Sequence, residues 1–226
     1  MKDGMTRRGF LAAAGMAALT APRWAGAETR DVPFFQARSD LDATLACARM
    51  VLSNFDRKEH YPVGDVSEMV YHREGFWIFE AQLIPILAQK DLGPTLHTTA
   101  PYPELIQGRG LEPYGPDAAR RIDREALEWA SGSFDASTFA PEAASFDQVL
   151  EWTRKGALML LGVSRAVLRS DPGLPYCRYN IVLTGVQADQ VRYHDPAAGP
   201  HRSAPAALIR KAYESGPDRS ALGVMR

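Results

Sequence analysis

Two stretches in the second half of the chain, ALMLLGV at residues 157–163 and RYNIVLTGVQADQVRYHD at 178–195, constrain the fold most tightly. The first is an unbroken apolar run of strand length. The second reads as two strands joined by a polar turn, QADQ, so a buried strand is followed by an antiparallel hairpin. What precedes them is mainly helical. After a short strand at 32–35, Asp40 or Asp42 can cap a helix whose apolar side carries Leu45, Val51, Leu52 and Phe55, with Ala46 and Ala48 permitting close packing. Asp65 caps a helix expected near 66–71, and another is expected over 76–89, bent at Pro85. LGPTLHTTA reads as a turn plus a short strand. Residues 116–130 form a charged amphipathic helix with Ile122, Ala126, Leu127 and Trp129 on its inner side. A further helix begins at Ser145 and stops at Gly156, and a last one runs from Ser203 to about Tyr213. Helices packed on a later antiparallel sheet make an α+β protein, not the alternation of a doubly wound fold.

The first 27 residues are read as a targeting segment, outside the folded domain. Thr6-Arg7-Arg8-Gly9-Phe10-Leu11 matches the twin-arginine export pattern, a mild apolar run follows to Ala21, and Ala25-Gly26-Ala27 is an A-x-A cleavage site. That run is shorter than the roughly 20 apolar residues a membrane span needs. Cleavage after Ala27 leaves residues 28–226 as one domain. The expected partner in transit is the twin-arginine machinery, the destination is the periplasm or beyond, and no membrane association follows cleavage. With 26 Lys and Arg against 27 Asp and Glu the net charge is -1, which offers no positive excess for phosphates, so nucleic acid is not an expected partner. No cofactor is legible. His60, His72, His97, His194 and His201 are scattered without ligand spacing, so no metal site is expected. In VYHREGFWIFEAQ, residues 70–82, Phe76, Phe79 and Leu83 recur at core spacing, while Trp77 falls off that stripe and could line a groove.

SDLDATLACARMVL and YNIVLTGVQADQVRYHDPAAGP, together with SFDQVLEWTRKGALMLLGVSRAVL and ILAQKDLG, resemble in order and spacing the bacteriocin-leader-peptidase-like, or double-glycine-peptidase-like, branch of the papain-like cysteine peptidases. The resemblance implies the papain-like fold. In that family a segment like Q-x-x-D-x-x-C-G-P-A-x-x-A-M-V-L opens the central helix, and a later G-H-F-V-V-V-T-G hairpin ending in D-P supplies a histidine and an aspartate. Matching M-V-L to Met50-Val51-Leu52 puts Ala43 at the nucleophile, Thr44 at the glycine and Leu45 at the proline. Matching T-G and D-P puts Tyr179 at the histidine, while Asp195 keeps the family's residue. Gln36 lies near the oxyanion-hole glutamine.

These substitutions remove the chemistry. Alanine cannot attack, and a phenol with a pKa near 10 is a poor base at neutral pH. Asp195 is then read either as a structural carboxylate of an Asp-Pro turn or as an acceptor for the Tyr179 hydroxyl. Cys47, one helical turn after Ala43, is either plain core or a fallback nucleophile. Cys177 lies two residues before Tyr179, so both should share a sheet face toward the central helix, and an oxidising compartment could join Cys47 to Cys177. The first functional expectation is an exported, inactive peptidase homologue holding a peptide or protein in a cleft near Gln36, Trp77 and Tyr179. The others are an active thiol peptidase or acyl transferase using Cys47, and a structural or scaffolding protein.

Overall fold

The computed structural model describes residues 30–174 and 177–226; Arg7, Arg8 and the cleavage position after Ala27 lie outside them. Nine helices occur among the described residues: α1 (Ala43–Phe55), α2 (Val63–Met69), α3 (Ile84–Gln89), α4 (Tyr102–Ile106), α5 (Ala118–Arg121), α6 (Arg124–Ser131), α7 (Phe146–Arg154), α8 (Arg165–Leu168) and α9 (Ala206–Glu214). Seven strands, β1 (Gly93–His97), β2 (Phe139–Ala140), β3 (Leu158–Gly162), β4 (Asn180–Gln187), β5 (Gln190–Asp195), β6 (Gly199–Pro205) and β7 (Ala221–Met225), form one sheet in the order β2-β1-β7-β3-β4-β5-β6. Only the β1–β2 pairing is parallel. No described helix is long and apolar enough to cross a membrane.

Strand alternation divides the core between the two faces of the sheet. Leu158, Leu160, Val182, Leu222 and Val224 pack with Cys47, Met50, Val51 and Leu52 of α1. Met159, Leu161, Ile181, Leu183 and Ala221 pack on the other side with Phe146 and Val149 of α7 and Ile209, Ala212 and Tyr213 of α9. The helix-first, sheet-later order therefore gives the expected α+β layers, with α1 buried centrally.

Several local expectations are corrected. Residues 32–35 are extended without strand pairing. The continuous helix expected over 76–89 does not form: Trp77 bridges Ile122, a 3-10 turn covers Glu80–Leu83, and only then does α3 begin. Gln82 explains the break, its amide accepting from the Phe79 N–H at 2.8 Å and donating to the Val70 carbonyl at 2.8 Å. Pro85 sits in the first turn of α3, where its missing N–H costs nothing, and does not bend the helix. The helix expected over 116–130 is split at Ile122, because Asp123 caps α6 by accepting from Ala126 N at 3.2 Å. The start expected at Ser203 lies within β6, and α9 begins at Ala206.

Candidate functional site

The start of α1 is built from a 3-10 turn, Asp40–Asp42, in which the Ser39 hydroxyl donates to Asp42 at 2.9 Å. Ala43, the first residue of α1, is fully buried and joins the cluster that contains Tyr179. The next side chain, Thr44, donates to Asn180 Oδ1 at 2.5 Å at the start of β4. Tyr179, just before β4, and Asn180, its first residue, thus both belong to the surroundings of the helix start.

The Tyr179 hydroxyl donates to the Asp195 carboxylate and accepts from the Arg169 guanidinium at 3.0 Å. The same Asp195 oxygen accepts from Ala197 N at 3.0 Å and Ala198 N at 2.8 Å. Both structural expectations for Asp195 are therefore met together: it anchors the Asp-Pro turn and holds the tyrosine. Burial first, then the hydrogen bond to Asp195 and its charge, push the Tyr179 phenol well above its ordinary range. It remains a proton donor across physiological pH and cannot serve as a base. Asp195→Ala is expected to cost about 2–3 kcal/mol, because one hydroxyl and two amides lose their acceptor together, whereas Tyr179→Phe should cost about 1 kcal/mol. Urea denaturation of the two variants checks the ordering.

Ala43, Tyr179 and Asp195 are all buried. Arg165 from α8 reaches across to an ion pair with Asp40, at the edge of the helix start, and its guanidinium lies 5.9 Å from the Tyr179 ring centre. Arg169 lies 5.5 Å from the same ring. Arg165 is itself buried beside these residues. Trp77 is core, 4% exposed, its backbone N–H donating to the Arg121 carbonyl at 2.7 Å. Gln36 is exposed and borders a hollow of about 20 Å³ with Asp42, Leu45 and Arg49. Gln36, Trp77 and Tyr179 thus do not line one open groove.

Cys47 is fully buried, and its thiol lies 3.4 Å from the Asn180 carbonyl as a donor. Burial, followed by the negative charges of Asp195 and Glu80, raises its pKa well above the ordinary thiol value. This is the reverse of the depression a thiolate nucleophile needs. Both cysteines are free. Cys177 packs against the cluster that holds Tyr179 and Ala43 of α1, whereas Cys47, further along α1, lies in the cluster on the other side of the sheet, so the two cysteines are not brought together. Among the described residues no group of three or more His, Cys, Asp or Glu could hold a metal ion.

A buried charge network beneath the site is the main feature that sequence reasoning missed. Arg178 pairs with Glu80 and with Asp218, its guanidinium lies 3.8 Å from the Phe79 ring centre, and Asn180 donates to Glu80. Thr44 completes the chain into α1. A sequence signal existed: Glu80 is a lone charge within GFWIFEAQL, and Arg178 opens a buried strand, and such charges need partners.

No family model matches this chain, and no curated protein matches it by sequence. Solved structures do match its fold. A C39-like peptidase from Bacillus anthracis aligns over 87% of this chain and 96% of its own, with a TM-score of 0.53 and 10% identity. The peptidase domain of Streptococcus ComA, a bifunctional ABC transporter involved in quorum sensing, aligns over 84% of this chain and 96% of its own, at TM-score 0.49 and 8% identity. A double-glycine-motif protease from an AMS/PCAT transporter, in complex with a leader peptide, aligns over 87% and 92%, at TM-score 0.48 and 12% identity. Identities this low speak for architecture alone, and by the first of these likenesses the chain has the C39-like, papain-like peptidase fold.

Proposed function

We propose that this is an exported, catalytically inert protein of peptidase fold that acts by holding a peptide or protein segment. The observation that carries the reading is Ala43 at the start of the central helix, with a Tyr179–Asp195 hydrogen bond where the resembling family keeps histidine and aspartate. A fold without nucleophile or base retains only recognition. Engagement over the helix start would require α8 to lift and the Arg165–Asp40 pair to part. The test is incubation of the purified protein with a complex peptide mixture, read by mass spectrometry. No cleavage is expected; cleavage that disappears in Cys47→Ala overturns the proposal.

The burial of Ala43, Tyr179 and Asp195 favours a second reading, a scaffolding protein whose cleft is filled by its own side chains. Peptides that co-purify with the folded protein and are released on unfolding support the first reading; their absence supports the second. Export is proposed from the first 27 residues. Arg7→Lys together with Arg8→Lys is expected to leave the protein unprocessed in the cytoplasm, as cell fractionation and intact mass would show. Processed protein outside the cytoplasm would remove the twin-arginine assignment.

A further inference from the structure

α2 ends in a six-residue stop in which His72 N donates to Ser67 O at 2.8 Å and Tyr71 N donates to Glu68 O at 3.0 Å. This arrangement puts the residue after the helix cap into the left-handed region, where glycine is strongly favoured. Here it is Tyr71, at φ 53°. A bulky side chain there costs stability, and burial does not repay it: Tyr71 is 44% exposed. Its ring lies against Trp129 of α6, with centroids 5.8 Å apart and planes 22° from parallel. Trp129 is itself 37% exposed, whereas its neighbours Ala126, Leu127 and Ala130 make the buried side of α6.

Acidic residues flank this aromatic pair along the chain. Glu68 lies within the helix stop, three residues before Tyr71, and Glu125 and Glu128 lie one turn and one residue before Trp129. Glu68 and Glu128 make no ion pair among the described residues. Of the cations near in the chain, Arg73 is engaged by Asp123 and by Glu125 at 2.8 Å, and the Arg124 guanidinium lies against Gly108. We infer that the Tyr71–Trp129 pair is a docking platform for an arginine or lysine side chain of a basic peptide segment. The ring faces attract the cation, and Glu68 and Glu128 supply the complementary charge. The platform is argued independently of whether the fold is inert, since no atom of the Ala43–Tyr179–Asp195 constellation takes part.

Tyr71→Gly separates binding from folding. Glycine suits the helix stop, so the thermal midpoint of the full chain is expected to rise by about 2–4 °C. Affinity for an acetylated, amidated hexaarginine peptide, measured by calorimetry at low salt, is expected to fall by about fivefold, with a similar loss in Trp129→Ala. Glu68→Gln with Glu128→Gln should weaken the same peptide and flatten its salt dependence. Unchanged hexaarginine affinity in Tyr71→Gly overturns the proposal, as does equal binding of a hexaglutamate peptide. A lower midpoint in Tyr71→Gly would show the stack to be a structural contact and would also overturn it. Cleavage of peptides by the unmodified protein would remove the inert reading and leave this surface as argued.

Discussion

Replacing Arg178 with leucine is expected to lower the free energy of unfolding by about 3–5 kcal/mol, a large share of what holds a domain folded. Arg178 is 4% exposed, and its guanidinium lies between Glu80, Asp218 and the Phe79 ring. Leucine fills much of the stem volume but leaves two carboxylates buried without their cation. The loss also reaches α1, because Glu80 accepts from Asn180, and Asn180 accepts from Thr44. Urea denaturation gives the number. Adding Glu80→Gln and Asp218→Asn to the Arg178 variant should recover much of the loss, since the penalty lies in the unpaired charges. A change below about 1 kcal/mol in the single variant would mean that the cluster is hydrated and the carboxylates were never stranded.

Cys47 is expected to resist alkylation by iodoacetamide in the native protein by a factor of at least about 10³ relative to the unfolded chain, across pH 6 to 8. The thiol is fully buried, and its raised pKa keeps it protonated throughout this window. Labelling must therefore wait for opening of the core. Cys177 is only partly buried, and Arg165 and Arg169 offset part of the burial effect on its thiol, so it should label first. Peptide mapping after timed quenching separates the two sites. Rapid native labelling of Cys47 would restore the thiol-enzyme alternative, which the surroundings of Cys47 argue against.

Layer order and the main strands were legible because they rest on local periodicity. The run at 157–163 became β3, and QADQ became the turn between β4 and β5. Tyr179 and Asp195 were paired from spacing against the resembling segments, and the structure joins them by a hydrogen bond. What escaped depended on contacts distant along the chain. Nothing near residue 76 announces that Gln82 will bond back to Val70 and end an apparent helix. Arg165 and Asp40 meet across 125 positions of chain, so this ion pair at the start of α1 could not be read from either segment. The expected meeting of the two cysteines fails for a simpler reason: α1 reaches both clusters, with Ala43 in the one that Cys177 joins and Cys47 in the other.

The position of β7 also bears on when this protein can fold. It is the last strand in chain order, yet Leu222 sits opposite both Leu96 of β1 and Leu160 of β3. Until residues 221–225 have been synthesised, β1 and β3 each offer an open backbone edge to any other chain nearby. The centre of the sheet is thus completed after its flanks, and a nascent chain stalled before Ala221 is a candidate for chaperone capture or aggregation.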